Sequence, residues 1–589
     1  MAHPAPPSPL AILHNAIDLT QAPFSDRGSR ILLYQVHNAS TLRVKLAERM
    51  TDVEPGLLAH LIRPPFIDNL TLLDADGEPL AFEAEAYPHA VFLRTKLGDF
   101  ICAFQSEDVL AIGLPPDKAV GLRMDVQPLL THESRQTGDI RATRNFAYAT
   151  TGEITQRQAT PIDGGQRLTL QFAPDEDEAV TLCIRADQAL DAEAAPFSRT
   201  LAAAEARWLR WFEAVPPVEE RYRKAYLYAW WVMANNIVSP GGCITREAMM
   251  PSKSHYIGLW QWDSYFHALA YRHVDPALAE GQIRVILDNQ LDNGMLPDAI
   301  YDEGTITWLD FPVEAPVTKP PLGAWAALKV HRLNPNPDFL RAIYRPLVRN
   351  VNWWFSQNDD DADGIVQYTH PYSSGLDDNP LWDGGVPVES PDINTYLVLE
   401  QEALAEIARE IGEPDDAAMW ERRADALAQR MVEHLYDADA GLFRALRDHE
   451  SVEVVTPFNL YPLITGRLPE AVVEALLQQL TDPARFWARY PLPTVALDDP
   501  KHKPLTMWRG PVWINVNYLF VEGLARIGQH ELAEELRKRT LDLVASNEGI
   551  YEYYHPQTGM PPESAAPVFG WSAALFIELA IASARAGGG

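Results

Sequence analysis

The spacing of apolar residues changes once along this chain. Up to about residue 190, apolar positions alternate with polar ones or run together over strand lengths. Thr41–Met50, Phe92–Phe104, Arg167–Phe172 and Ala179–Ala186 are examples, separated by turn signals such as Asp76-Gly77 and Asp163-Gly164-Gly165. Many short strands without a long helical run predict an N-terminal β-sandwich over residues 1–195. From Thr200 the period becomes helical, in LAAAEARWLRWFEAV and then RYRKAYLYAWWVMANNI. Residues 196–220 read as a helical linker, and residues 221–589 as a helical domain. Within it, Leu397, Leu404, Ile407 and Ile411 share one face before the stop signal Gly412. Trp420, Ala424, Leu427, Met431 and Leu435 share the next. At roughly 30 residues per helix and loop, about a dozen helices fit. That number suits a double-ringed α-barrel and leaves an α-solenoid open. The fold class is mainly α, with a β-domain in front.

Composition narrows the function classes. The 589 residues carry a formal charge of −32, which repels nucleic acid and anionic membrane surfaces. Sixteen Trp and 21 Tyr supply flat apolar faces with one polar edge, suited to cores and to sugar rings. Cys102, Cys183 and Cys243 are far apart without metal-ligand spacing, and read as free thiols in a reducing compartment. With no basic-plus-apolar leader at the start and no run of about 20 apolar residues, the expected location is cytoplasmic. Oligomeric state is left open.

Four loop segments in the helical part carry candidate chemistry. In YSSGLDDNPLWD (Tyr372–Asp383) the carboxylates Asp377 and Asp378 follow a Ser-Ser-Gly turn and precede an aromatic. A carboxyl against an apolar wall keeps its proton near neutral pH, as a general acid must; capping a helix or holding a turn is the plain alternative. GLWQWDS sets Trp260, Trp262 and Asp263 together, able to stack a pyranose and bind its hydroxyls, or to serve as core and cap. In TMWRGPVW, Trp508, Arg509 and Trp513 flank Gly510, which lets backbone approach a ligand; core filler is the alternative. In NEGIYEYYHP, Glu552 stands among Tyr551, Tyr553 and Tyr554. A carboxylate hydrogen-bonded by tyrosines or water can activate a nucleophilic water; the alternative is an exposed Glu on a strand-like edge. Asp359, Asp361, Asp363 and Gly364 match the start of a calcium loop, but position twelve is His370 rather than Glu, and a solvated turn is the alternative. The histidines show no metal spacing, so no metal ligand set is assigned.

These segments occur in one order: GLWQWDS, LDNGMLPD, SGLDDNPLWD, YPLPTVALDDP, MWRGPVWINVNYL, YEYYHPQTG and FGWSAAL, the last containing Trp571. Together they resemble glycoside hydrolase family 63 from about Arg221 to Ala584, especially its bacterial mannosylglycerate and glucosylglycerate hydrolases, and more loosely the family 37 trehalases. The resemblance implies an (α/α)6 barrel, Asp377 as general acid and Glu552 as general base. It places Trp260, Trp262, Asp263, Lys319, Trp508, Arg509, Gly510, Trp513 and Trp571 at the sugar. It implies an inverting hydrolase of a small α-glucoside or α-mannoside, with no required cofactor and Ca²⁺ allowed. An inverting phosphorylase, which needs no carboxylate base, and a non-catalytic sugar-binding protein are the alternatives. Two positions depart from the family pattern: Ser373 stands where Glu is common, and Lys319 where Gln is common. A lysine lining the cleft would favour an anionic aglycone such as glycerate.

Overall fold

The computed structural model describes residues 7–48, 65–133, 136–142, 145–175, 179–186 and 194–587. The first six residues lie outside them, as do Arg49 and Met50 at the end of the expected strand Thr41–Met50. The described chain divides into two compact units. One comprises residues 1–215, 230–239 and 253–257, the other residues 216–229, 240–252 and 258–589.

The first unit contains two antiparallel sheets, of six and eight strands. Asp163-Gly164 forms the expected turn, with Gly164 at φ +73° and Ile162 paired to Gly165. The run Phe92–Phe104, expected as one strand, is instead a hairpin of Val91–Thr95 and Gly98–Ser106. Gly98 at φ +120° permits the reversal. Helix α1 (Phe197–Glu213) fills most of the expected linker. It buries Phe197, Thr200, Ala204, Trp208 and Phe212, spaced to lie on one helical face. The Phe197 ring sits where a Cβ on Gly113 would be, within 2.4 Å, so a side chain at 113 would expel it. Arg207 ties the helix to the sheet by donating to Asp26 Oδ2 at 2.6 Å and the Phe104 carbonyl at 2.8 Å.

The second unit holds α2 (Gln261–Tyr271), α3 (Pro276–Leu287), α4 (Gly323–Leu333), α5 (Pro337–Gln357), α6 (Pro391–Ile411), α7 (Pro414–His434), a 3₁₀ helix (Pro457–Thr465), α8 (Glu470–Leu480), α9 (Ile514–Arg526), α10 (His530–Ala545) and α11 (Gly570–Gly587). A ring closes in the order α2, α4, α6, 3₁₀ helix, α9, α11 and back to α2. The contact of α11 on α2 separates this arrangement from an open solenoid. Outside the ring, α3 backs α2, α5 and α7 back α6, α8 backs the 3₁₀ helix, and α10 backs α9.

The two rings follow from burial on one side or on all sides. All eleven residues of α2 are buried, as an inner helix requires, whereas α7 buries one stripe that includes Trp420, Ala424, Leu427 and Met431. Gly412 stops α6 at φ +87°. Inner helix α6 also buries acids, which must find donors. Its Glu400 accepts the Ala324 and Trp325 amides at 2.7 and 3.1 Å, capping the N-terminus of α4. Among the described residues, no helix is long and apolar enough to cross a membrane. Cys102, Cys183 and Cys243 are free thiols.

Candidate active site

The site residues sit on the segments leading into the inner helices or in the first turns of those helices. Ahead of α6, a 3₁₀ turn (Pro371–Ser374) ends at Gly375 with φ +72°, and Asp377 and Asp378 follow. A Cβ on Gly375 would lie 2.2 Å from the Trp262 ring, so glycine lets the acid loop pack under that indole. Trp382 Nε1 donates to the Leu376 carbonyl at 2.8 Å, and Asn379 Nδ2 to the Trp508 carbonyl at 2.9 Å, fixing the backbone on both sides of the acids.

The two aspartates differ. Asp377 is half-buried, and its Oδ1 is enclosed with no hydrogen-bond partner. Burial pushes its pKa up to about 6, against the pull of Lys319. Asp378 serves the backbone: its Oδ1 accepts the Trp508 amide and its carbonyl accepts Arg509 Nη1, both at 2.8 Å. Burial raises its proton affinity as well, opposed by the Trp508 amide and Arg509.

Glu552 is only 3 % exposed, which removes the exposed-edge alternative. Its Oε2 accepts the Ala566 amide at 3.2 Å, while its own amide donates to the Ala566 carbonyl at 2.9 Å. The hydroxyls of Tyr553 and Tyr554 turn elsewhere: one donates to Ser564, the other accepts the Tyr551 amide. Asp263 lies between Glu552 and Lys319 electrostatically, and Lys319 in turn acts on Asp377. Asp263 itself is buried in the first turn of α2 without capping it, and burial raises its pKa well above the usual range. The Lys319 charge opposes that rise, while Glu552 and Asp298 add to it.

Lys319 does not wait for a substrate anion. It is 4 % exposed, and its Nζ lies 2.5 Å from both Asp298 Oδ1 and the Tyr372 carbonyl. The expectation that it attracts an anionic aglycone is therefore displaced by an internal ion pair. Asp298 closes the LDNGMLPD segment, where sequence alone gave it no role. Arg509 is likewise engaged, forking onto both oxygens of Asp383. Gly510 makes room for protein rather than ligand, since a Cβ there would lie 2.9 Å from His502 and the Lys503 carbonyl.

The tryptophans form one aromatic wall. Trp508 stacks on Trp513 at 3.7 Å and 7°, which uses one face of each. Trp262 meets Trp571 edge-on at 5.0 Å, and Trp571 meets Trp513 at 5.4 Å. None of these four exceeds 3 % exposure, so they pack on one another and, through Trp262, against the acid loop rather than offering open stacking faces. Trp260 is slightly more open at 8 % and hydrogen-bonds Asp298 through its side chain. Apart from this pocket, ligand atoms of Asp359, Asp361 and Asp363 lie within 4.8 Å of one another, as do those of Asp361, Glu389 and His449. His370 is turned away, its Nδ1 accepting the Tyr372 amide.

The family model of the mannosylglycerate hydrolase MGH1-like glycoside hydrolase domain matches residues 256–572, more than half of the chain and all of the site described above. The chain belongs to this family. It is a glycoside hydrolase. A mannosylglycerate hydrolase of Thermus thermophilus is 28 % identical over 406 residues, covering 55 % of this chain and 95 % of the relative. A glucosylglycerate hydrolase of Mycolicibacterium hassiacum is 25 % identical over 414 residues, covering 55 % and 92 %. The crystal structure of a family 63 mannosylglycerate hydrolase from Thermus thermophilus with glucose aligns at TM-score 0.52 and 25 % identity, over 60 % of this chain and 98 % of that one. A bacterial glucoamylase bound to acarbose aligns over 99 % of this chain and 96 % of its own at TM-score 0.58; at 11 % identity that is likeness of fold alone.

Proposed function

We propose that this MGH1-like enzyme is an inverting α-glycosidase acting on a small α-glucoside or α-mannoside, with glycosylglycerates first among the candidates. Asp377 protonates the glycosidic oxygen as the bond from C1 breaks. Glu552 takes a proton from water, whose oxygen attacks C1 from the opposite ring face. The observation that carries the reading is the contrast between two carboxyls linked through Lys319 and Asp263: Asp377 is driven by burial to keep its proton to about pH 6, while Glu552 is seated by a backbone amide. The names of the relatives support glycosylglycerates as substrates. The inward pairing of Lys319 removes one sequence argument for an anionic aglycone, so trehalose, kojibiose and nigerose stay in the panel. The helical unit is read as an (α/α)6 barrel and the N-terminal sheets as a β-sandwich, in keeping with the ring order and the glucoamylase likeness.

A hydrolysis screen over glucosylglycerate, mannosylglycerate and these disaccharides tests the assignment. Turnover of at least one without phosphate is expected; turnover that requires phosphate would make the enzyme a phosphorylase instead, and none at all would favour a sugar-binding protein. Two-carboxylate hydrolysis needs no cofactor. A Ca²⁺ ion at the Asp359–Asp361–Asp363 cluster would act on stability. Glu389 supports this, its pKa pushed up to about 7 by burial and by Asp363 and Asp361, a repulsion that a cation would relieve. Millimolar Ca²⁺ is expected to raise Tm by about a few degrees in chelator-treated protein. An unchanged Tm would remove the ion from the account.

A further inference from the structure

Lys319 carries its charge into surroundings that would strip an unpaired ammonium of its proton. Burial works against the charge, but Asp298, Asp377 and Asp263 outweigh it and hold its proton affinity above the ordinary lysine range. Burial holds Asp298 above the usual carboxylate range, countered only in part by Lys319 and the Trp260 side chain. The ammonium also grips the acid loop, since Nζ donates to the Tyr372 carbonyl at 2.5 Å. Next to it, the Thr318 amide donates to Ser373 Oγ at 3.2 Å, and Thr318 Oγ1 sits between Gln261 Oε1 and the Leu296 carbonyl at 2.9 and 2.7 Å. Residues 318 and 319 thus anchor the acid loop just upstream of Asp377. Lys319 and Ser373 both belong to this junction.

We propose that Lys319, clamped by Asp298, is a positioning residue for the general acid: it holds the loop that carries Asp377 and supplies the positive charge against which Asp377 releases its proton. This rests on Asp377 being the acid. When Asp377 gives its proton to the leaving oxygen, a carboxylate appears near a fixed ammonium, and the attraction lowers the cost of that step. The charged and titratable groups acting on Asp377 are Lys319, Asp298 and Asp378, with Tyr372 beside it; Asp263 acts on Lys319, and Lys319 together with burial lowers the proton affinity of His370. Lys319 pulls the proton affinity of Asp377 down and Asp298 pushes it up, so removing one or the other moves it in opposite directions.

The test is the pH dependence of kcat/KM for the full-length enzyme and three variants, on the neutral α-glucoside turned over best. Activity falls on the alkaline side as Asp377 loses its proton. Lys319→Gln is expected to move that limb upward by about one pH unit, the lower end of what a nearby opposite charge contributes. Asp298→Asn is expected to move it downward, and Lys319→Arg to hold it. Limbs that stay in place while rates fall would mean a structural role and overturn the proposal. So would a KM increase confined to glycosylglycerates, which would make Lys319 an aglycone contact. If Lys319→Gln does not fold, the downward shift in Asp298→Asn decides alone. Asp377→Asn assayed on an α-glycosyl fluoride checks the acid separately. Its failure there removes the reading of Asp377, whereas normal behaviour there with unmoved limbs removes only the role of Lys319.

Discussion

Asp377→Asn is expected to lower kcat on unactivated α-glycosides by about a thousandfold, within the ~10²–10⁴ that a positioned general acid supplies. The amide is nearly isosteric and cannot donate the carboxylic proton. Its neighbours keep the loop in place, because Leu376, Asp378 and Asn379 are tied to Trp382, Trp508 and Arg509 independently of the Asp377 carboxyl. The loss should therefore appear in kcat with KM within a few-fold. An α-glycosyl fluoride, whose leaving group needs little protonation, should be hydrolysed by the variant at about a tenth of the wild-type rate or better. Equal losses on glycoside and fluoride would show that Asp377 does something other than protonate the leaving oxygen.

Glu552→Gln should show the complementary pattern. Water activation is required whatever the leaving group, so kcat is expected to fall by about 10³-fold or more on glycoside and fluoride alike. Glu552→Ala goes further, leaving space for a small anion that needs no deprotonation. With azide and an α-glycosyl fluoride, that variant should form the β-glycosyl azide. Wild-type rates in Glu552→Gln would remove it as the base. An α-azide product would place the nucleophile on the wrong face.

Both acids stood out in the sequence as candidates because each sits in a short run with a turn or aromatic signature. Their surroundings were legible only in part. The division of the aspartate pair, with Asp378 tied to the Trp508 amide, depends on a loop 130 residues away, which no local spacing reveals. The partner of Lys319 was not legible, since Asp298 stands 21 residues earlier in a segment that reads as a loop marker. The sequence left sugar stacking and core packing both open for the tryptophans; four of them pack on one another, a choice made by tertiary contacts. Helical periodicity located α6 with its stop at Gly412, and the buried face of α7. It understated α6, whose polar positions Asp392, Asn394 and Glu400 are buried because the helix is enclosed on all sides. The 3₁₀ helix Pro457–Thr465 was not visible by period, since Pro457 and Pro462 break the helical signal in the segment that completes the inner ring. In the β-region, the Lys96-Leu97 turn inside Phe92–Phe104 lacks the Asn-Gly or Asp-Gly signature and passed as continuous strand.

The central claim is that Asp377 and Glu552 act on opposite faces of the sugar in a single displacement, which requires roughly 6.5–9.5 Å between carboxyl groups to admit a water. Proton NMR of the anomeric region, recorded in the first minutes of wild-type hydrolysis before mutarotation, tests this most directly. The β-anomer of the released sugar should appear first from the α-linked substrate, with the α-anomer growing in later. First appearance of the α-anomer would contradict the account, because it would require a covalent intermediate and a second displacement.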